Sequence, residues 1–336
     1  MGFDGDRAEP CTRCILLAEI DRADEHFRIT TRRSSDDLDL SLQRLGLLTA
    51  PLVLPRDRGY ILVSGFRRVD ACRRLGWEAV PARVLEAPAT MYACALKSVG
   101  ENSLERPLNL IETSRALRLL DRHAPGGTPP PEDASALNLP THAGLTARLK
   151  TLCRMPEEVQ AAVLDETLSF AMACEIGQLE EGPAVAFARL FRRLKPGLNK
   201  QREIVTLVSE IACRDGIDST AVLSEPEMIR VQDAEELDRS QKTQFIRRLL
   251  RRRRFPALTA AEDRFHALRR RLKLGANLQL APPRDFEGTR YTLTLSFERL
   301  EEVERLRAQL DALVRHPDFK ALLTGKGRGF AGTTDP

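Results

Sequence analysis

Hydrophobic positions repeat with two different periods along this chain, and each period predicts a different element. Three short apolar runs near the N-terminus have the length of buried strands: 51–54, 60–63 and 80–84. Leu38, Leu42 and Leu45 instead recur at helical spacing and precede Gly46, which predicts a helix that ends at this glycine. The first hundred or so residues are therefore expected to mix strands and helices.

Most of the remaining chain is predicted to be helical. The loop sequence APGGTPPPED at 124–133 separates the mixed region from a run of helices that extends to about residue 255. A helix over 259–273 then precedes two strand-like segments, NLQLA and RYTLTLSF. A further helical stripe follows, formed by Leu300, Val303, Leu306, Leu310 and Leu313.

This last helix–strand–strand–helix segment is thin for an independent core. In its second strand, four apolar residues alternate with Thr and Ser, the period of a half-buried strand: Tyr291, Leu293, Leu295 and Phe297. A single hairpin with two helices buries little apolar surface. We expect the segment to complete its core by pairing with a second copy or, alternatively, by packing on the helical middle.

The composition is typical of a multidomain protein in a reducing compartment. With 336 residues and 42% hydrophobic content, two or three domains are expected. No apolar run approaches the ~18 residues of a membrane span, and the acidic N-terminus, poor in apolar residues, is not expected to be a signal peptide. Seven scattered cysteines do not resemble a disulfide framework, which favours the cytoplasm.

Positive charge is concentrated in one segment. Residues 247–273 contain eleven Arg or Lys and two acidic residues, a net of +9, whereas the whole chain carries +4 and the remainder therefore −5. Such a basic block is typical of contact with a polyanion, and equally of a solvated helical linker.

The sequence SGFRR, which follows the predicted strand at 60–63, has the features of a phosphate-binding turn. A helix N-terminus attracts anions through its unpaired N–H groups, and Gly65 permits the tight turn that precedes it. Arg67 and Arg68 would add donors that match phosphate oxygens, although arginines at a helix start are often solvent-facing.

A second cluster lies further along the chain. Glu101 and Asn102 place two hard oxygen donors side by side, suitable for Mg²⁺ held through water or phosphate. An ordinary polar helix cap is the alternative interpretation.

Taken together, three segments resemble, in order and spacing, the conserved boxes of the ParB family of partition proteins. They are GLLTAPLVL (46–54), SGFRRVDACRRLGWEAVPARV (64–84) and ENSLERPLNLIE (101–112). Segment 134–176 is similar to the helix-turn-helix of that family and the joint that follows it, and the C-terminal segment is similar to its dimerisation domain. The resemblance covers most of residues 17–320.

The resemblance implies an α+β multidomain protein. Its expected parts are a flexible tail (1–16), a ParB/sulfiredoxin-like nucleotide-binding domain (17–105), an all-α helix-turn-helix domain (106–180), a helical extension with a basic end (181–255), a small α-β-β-α dimerisation domain (256–325) and a tail (326–336).

The resemblance also implies a function. Proteins of this family are homodimers that bind double-stranded DNA at a centromere-like site and close into a CTP- and Mg²⁺-dependent clamp. A chromosome or plasmid partition protein of this kind would be cytoplasmic and nucleoid-associated, would have a ParA-like ATPase as partner and would not contact a membrane. Carried onto this chain, the nucleotide would be held by Gly65, Arg67, Arg68 and Asn102, the Mg²⁺ by Glu101 and Asn102, and weak CTP hydrolysis would involve Glu101.

Three departures bear on the nucleotide switch. Phe66 stands where the family usually has glutamate, and an aromatic ring can neither accept a hydrogen bond there nor polarise a water. Ala50 is an extra residue before Pro51, and Glu105 replaces a common arginine, with Arg106 one place later. CTP binding is therefore expected more firmly than CTP turnover.

The helix-turn-helix resemblance predicts which side chains face DNA. Leu145, Leu149 and Leu152 are expected to form a buried stripe, and Asn138 to occupy a left-handed position that the family usually gives to glycine. The remaining polar side chains would then reach phosphates or base edges: Thr141, His142, Thr146, Arg148 and Lys150. A purely structural helical element is the alternative.

The cysteines raise two further possibilities, a zinc site and a reactive thiol. Cys11 and Cys14 have the spacing of half a zinc site but lack a second pair, so incidental cysteines in a tail are expected. Cys72 follows the arginines rather than lying in the turn, where a sulfiredoxin would carry its reactive thiol. The alternatives to a partition protein are a DNA-binding transcriptional or plasmid-maintenance regulator with a degenerate switch, and an enzyme of the same fold, a phosphotransferase or nuclease.

Overall fold

A computed structural model of the chain describes residues 11–31, 36–86 and 89–324. The chain divides into two compact units, Met1–Arg202 and Glu203–Pro336. The domain boundaries predicted inside these units stay predictions, and the predicted C-terminal tail at 326–336 lies outside the described residues.

The first unit begins with a small sheet and the helices that cover it. Its described strands are β1 (Cys11–Leu16), β2 (Leu52–Arg56), β3 (Gly59–Ser64) and β4 (Ala79–Val84), in the spatial order β1-β4-β2-β3. The pair β2–β4 is parallel and the other two pairs are antiparallel. Its helices are α1 (Asp36–Leu45), α2 (Phe66–Arg74) and α3 (Met91–Ser103). The three predicted strands and the helix ending before Gly46 are confirmed, and Gly46 has a φ of +73°.

One prediction for this region is wrong. Residues 11–16 were expected to belong to a flexible tail, but they form the edge strand β1, in register with β4 from Cys11–Val84 to Leu16–Ala79. Ile15 is the one buried residue of this strand, and the sequence CTRCIL shows no apolar alternation that would have predicted it. Residues 1–10 lie outside the described part.

The rest of the first unit is helical. Its helices are α4 (Leu110–His123), α5 (Pro131–Ala136), α6 (Ala143–Leu152), α7 (Glu157–Leu164), α8 (Phe170–Ile176) and α9 (Glu181–Leu194). A turn joins α5 to α6, and within it Asn138 has a φ of +54°, the left-handed conformation predicted for it. The α+β class is confirmed, with helices outnumbering strands among the described residues.

The second unit is helical apart from one hairpin. Its elements are α10 (Leu198–Asp215, whose first turns belong to the first unit), α11 (Ser219–Leu223), α12 (Pro226–Asp233), α13 (Arg239–Arg254), α14 (Pro256–Leu272), β5 (Leu278–Ala281), β6 (Thr292–Leu295), α15 (Leu300–Arg315) and α16 (Pro317–Thr324). The predicted helix–strand–strand–helix order is present. No helix of the described chain is long and apolar enough to cross a membrane.

The apolar core of this hairpin region is smaller than its sequence pattern predicts. Its buried members are Phe265, Leu278, Leu280, Leu306, Leu313 and Phe319. Tyr291 and Leu293 pack against that core as predicted. Leu295 is exposed although it is in register with Leu278, and Phe297 is exposed beyond the end of β6. Leu300, expected in the buried helical stripe, is 81% exposed.

Candidate functional site

The turn between β3 and α2 requires a glycine. Gly65 has a φ of +89°, and a Cβ at this position would lie 2.9 Å from Cβ of Pro51. The Gly65 carbonyl accepts the first hydrogen bond of α2, from the N–H of Val69 at 3.0 Å, and no side chain caps this end of the helix. The backbone donors of the first turn are therefore available to a ligand.

A cleft of about 220 Å³ opens beside this turn. Its lining residues are Ile29, Thr30, Leu38, Gly65, Phe66, Arg67, Arg68, Glu101, Asn102, Glu105 and Arg106. The structure thus brings together all five residues predicted for nucleotide and metal, from two groups that lie more than thirty positions apart in sequence.

Glu101, in the last turn of α3, is held by three side chains. Its Oε2 accepts hydrogen bonds from Ser64 Oγ and from Arg68 Nη2, the latter at 3.2 Å, and its Oε1 accepts one from Arg83 Nη2. Arg68 also donates to the carbonyl of Thr49 at 2.6 Å, which fixes its guanidinium on the cleft wall. Sequence reasoning missed Arg83; its place between buried residues of β4 was the available signal, and that signal does not name a partner.

The donor set predicted for Mg²⁺ does not fit a free metal site. Both carboxylate oxygens of Glu101 accept hydrogen bonds from arginine, and the Asn102 side chain donates to the carbonyl of Ser98 at 2.9 Å. Mg²⁺ prefers oxygen ligands that no other cation occupies, at about 2.0–2.1 Å. Among the described residues, no group of three or more His, Cys, Asp or Glu side chains could hold a metal ion.

Glu112 supports two residues that line the cleft, Thr30 and Arg106. It is fully buried, and its carboxylate accepts hydrogen bonds from Arg106, from the N–H of Thr31 and from the N–H of Asn109. Burial by itself would raise the pKa of Glu112, but these hydrogen bonds outweigh it and lower the pKa to about 2. The ionised Glu112 thereby ties the segment around Thr30 to the N-terminus of α4, a role that the sequence did not indicate.

Phe66 closes the side of the cleft where the family usually has glutamate. Its side chain is buried in the first turn of α2, and the guanidinium of Arg28 lies 5.6 Å from its ring centroid. Cation–π packing of this kind holds an aromatic ring in place. The position is therefore part of the apolar wall and supplies no carboxylate.

The residues predicted to contact DNA lie along α6 and the segment just before it. Thr141, His142 and Arg148 are exposed, and Thr146 is partly exposed. The His142 ring caps the helix by accepting from the N–H of Leu145, while the Arg148 guanidinium lies 5.1 Å from the ring centroid of Phe170 on α8. Lys150 differs from the others, because its Nζ pairs with Asp121 of α4 at 2.6 Å.

The predicted buried stripe of α6 is wrong at one position. Leu149 and Leu152 are buried, but Leu145 is 40% exposed. The contacts of α6 with α4 lie at its C-terminal half, where Lys150 meets Asp121 and the N–H of Cys153 donates to Ser114 Oγ. The first turn of α6 extends past this packing, and its apolar residue faces outward.

The basic segment of α13 is largely neutralised within the second unit. Five of its arginines pair with carboxylates: Arg247 with Glu203, Arg251 with Glu262, Arg252 with Glu227, Arg253 with Asp215 and Glu225, and Arg254 with Glu210. Arg248 lies 5.5 Å from the ring centroid of Phe245. Local charge in the sequence therefore overstates the positive charge that this helix offers to a polyanion.

The cysteines do not form a reactive site in the described residues. Cys11 and Cys14 are both free, and an odd separation along β1 directs their side chains to opposite faces of the sheet. Cys72 is fully buried in α2, and burial raises the pKa of its thiol, which disfavours the reactive thiolate.

Sequence comparison finds nucleoid occlusion proteins among the relatives of this chain. A nucleoid occlusion protein of Oceanobacillus iheyensis is 33% identical over 146 residues, 43% of this chain and 48% of that protein. One from Bacillus cereus is 29% identical over 137 residues, 40% of this chain and 44% of that protein. The chain spans about half the length of the curated relatives that it matches, and no protein-family model matches it.

Solved structures of similar proteins carry the ParB name. The C-terminally truncated chromosome-partitioning protein ParB from Caulobacter crescentus, complexed with CTP-gamma-S, has 26% identity and a TM-score of 0.26, covering 54% of this chain and 99% of its own. A Pnob8-like ParB-N domain has 15% identity and a TM-score of 0.37, covering 73% of this chain and 97% of its own. These TM-scores are too low for the superpositions to decide anything further.

The protein is therefore of the mixed α+β class, and its first unit contains a cleft that lies beside a glycine turn and is lined by arginines. Its similarity to the nucleoid occlusion proteins confirms the resemblance to the ParB family that the three sequence boxes predict.

Proposed function

We propose that this protein is a ParB-like DNA-binding partition protein whose N-terminal cleft binds CTP. The observation that carries the proposal is the convergence of Gly65, Arg67, Arg68, Glu101 and Asn102 on one cleft at the uncapped start of α2. The sequence similarity to nucleoid occlusion proteins supports it.

The chemistry of the cleft suits a triphosphate. The left-handed turn at Gly65 leaves no Cβ between a ligand and the backbone, and the N–H groups of the first turn carry the positive end of the helix dipole. Arg67 and Arg68 add donors that match phosphate oxygens in geometry as well as charge. Recognition of the cytosine base is taken from the resemblance.

DNA binding is proposed for α5 and α6, which we assign as the two helices of the helix-turn-helix. The exposed residues of the α6 region combine a phosphate-seeking cation, Arg148, with hydroxyl and imidazole groups that can reach base edges. The protein would load at a centromere-like site on a chromosome or plasmid, act as a homodimer through 256–325 in the cytoplasm and at the nucleoid, and work with a ParA-like ATPase.

The residues at the cleft disfavour turnover of CTP. Phe66 supplies no carboxylate, and Glu101, the candidate catalytic group for weak CTP hydrolysis, already accepts hydrogen bonds from two arginines. This arrangement favours the second candidate function, a DNA-binding transcriptional or plasmid-maintenance regulator that keeps the cleft without a working switch. The buried Cys72 argues against a thiol enzyme of the same fold.

Calorimetric titration of each nucleoside triphosphate into the full chain tests the proposal. We expect selective binding of CTP that Arg67→Ala weakens by about tenfold or more, since one charge-assisted phosphate contact is lost. Arg58→Ala is the matched control, because Arg58 is exposed in the turn between β2 and β3, at the opposite end of β3 from Gly65. If no triphosphate binds to the folded protein in the presence of DNA, the proposal of nucleotide binding fails, and the DNA-binding regulator becomes the favoured function.

A further inference from the structure

Arg83 occupies a special position beside the cleft. Its N–H donates to the carbonyl of Pro51 at 2.8 Å, and Pro51 is the residue that a Cβ at position 65 would strike. The backbone of Arg83 is thus locked next to the glycine turn, while its side chain crosses to α3 and reaches Glu101. The side chain is one-third exposed, and it acts on the cleft through Glu101, a lining residue that it contacts directly.

The pairing leaves Glu101 without an oxygen for a metal. Oε1 of Glu101 accepts a hydrogen bond from Arg83, and Oε2 accepts hydrogen bonds from Arg68 and Ser64. A divalent cation at about 2.0–2.1 Å from either oxygen would have to displace a guanidinium and would then lie within a few ångströms of it. Like charges at that distance in a partly buried site repel strongly.

The same pairing changes the charge that a triphosphate would meet. The guanidiniums of Arg68 and Arg83 and the carboxylate of Glu101 form a cluster with a net charge of +1, whereas Arg68 and Glu101 without Arg83 would cancel to zero. Where a carboxylate has no cationic partner, a metal ion can bridge the acid and the phosphates. Here Arg68 and Arg83 together more than neutralise the acid.

Resting on the proposed nucleotide function, we infer that this cleft binds a nucleoside triphosphate without Mg²⁺, with Arg83 as the positioning residue that takes the place of the cation. Arg83 holds Glu101 away from the phosphates and adds positive charge to the cleft. The metal expected from the resemblance is then dispensable for binding.

The first experiment compares calorimetric titrations of CTP into the full chain in buffer with Mg²⁺ and in buffer with EDTA. We expect dissociation constants that agree within about threefold. Binding only with Mg²⁺ would overturn the inference and leave the proposed function standing. Absence of binding in both buffers would overturn the proposed function together with the inference.

A variant of Arg83 then tests whether this arginine is the reason that CTP binds without Mg²⁺. Arg83→Met keeps the length of the side chain and removes its charge, so we expect CTP binding in EDTA to weaken about tenfold and Mg²⁺ to restore part of it. Arg13→Met is the matched control, because Arg13 is exposed on the neighbouring strand, in register with Ala82. Equal, Mg²⁺-independent binding by Arg83→Met and wild type would contradict the role of Arg83.

Glu101→Gln distinguishes a Glu101 that ligates Mg²⁺ from a Glu101 that only pairs with the two arginines, because the CTP affinity should change in opposite directions. If Glu101 ligates Mg²⁺, the variant loses CTP affinity when Mg²⁺ is present. If Glu101 only occupies the two arginines, removing its charge releases them to the phosphates, and we expect affinity to be unchanged or a few-fold higher. A circular dichroism spectrum that matches wild type establishes that the isosteric variant is folded, so that a tenfold loss of affinity in Mg²⁺ would sink the inference.

Discussion

Two arginine-rich regions of this protein differ in how completely carboxylates pair with their arginines. In the cleft of the first unit, Arg68 and Arg83 share a single carboxylate, Glu101, and the cluster stays positive. In α13 of the second unit, by contrast, five arginines each have at least one carboxylate partner of their own among the described residues. Most arginines of the arginine-rich run in α13 are therefore paired one to one, whereas Arg68 and Arg83 outnumber the carboxylate that they share.

The difference has a simple physical origin. The acidic partners of α13 come from α10, α12 and α14 and from the residue just before α12, so packing of those helices delivers carboxylates to the arginine row. Beside the cleft, by contrast, Arg68 of α2 and Arg83 of β4 share one acid, Glu101 of α3. Surplus charge marks the place where an anionic ligand can still lower the electrostatic energy.

The largest expected effect concerns the buried ion pair in the cleft wall. Arg106→Met leaves the fully buried Glu112 without its charged partner, which should lower the free energy of unfolding by about 3 kcal/mol. Denaturant unfolding of the full chain, followed by fluorescence and circular dichroism, measures the loss. A change below about 1 kcal/mol would show that the remaining hydrogen bonds suffice for the carboxylate.

The pH dependence of stability also tests whether the ionised Glu112 stabilises the fold. The folded-state pKa of Glu112 is about 2, below its ordinary value of 4.5, so its stabilising contribution is present above pH 4.5 and is lost as the pH falls through 2. A shift of this size corresponds to about 3 kcal/mol. Unfolding of wild type and Glu112→Gln should therefore converge in stability between pH 4.5 and 2, and a constant difference over that range would contradict the assignment.

A smaller effect is expected at the proposed DNA interface. Arg148 is exposed and stacked on Phe170, whereas Lys150 already has Asp121 as partner. Arg148→Ala should weaken binding to a fluorescein-labelled duplex by about tenfold at low salt, and Lys150→Ala by clearly less. Anisotropy titrations at several salt concentrations measure both, and equal losses in the two variants would remove the distinction drawn from their contacts.

The smallest effect is expected on α13. Arg252 and Glu227 are 59% and 61% exposed, and exposed ion pairs contribute about 0–1 kcal/mol. Arg252→Met should change the unfolding midpoint and the affinity for duplex DNA very little, in contrast to Arg148→Ala. A loss of DNA affinity as large as that of Arg148→Ala would show that the ion pairs of α13 open to receive phosphates.

The sequence by itself determined the local architecture of this protein. Short apolar runs predicted the three strands, and helical spacing predicted the helix that ends before Gly46, because both signals lie in neighbouring residues. The need for glycine at position 65 and the left-handed turn at Asn138 are also local, since each depends on the φ of one residue. The five candidate cleft residues were found because they occur in family-like boxes.

Only the tertiary structure decided which charges meet. The pairing of Arg83 with Glu101 depends on the strand order β1-β4-β2-β3, which places β4 beside β2 and its side chain within reach of α3. The exposure of Leu145 depends on where α4 stops covering α6, and the neutralisation of α13 on carboxylates up to forty-four residues away. Spacing along a chain specifies the direction of a side chain on its own element, whereas its partner is set by how separate elements pack.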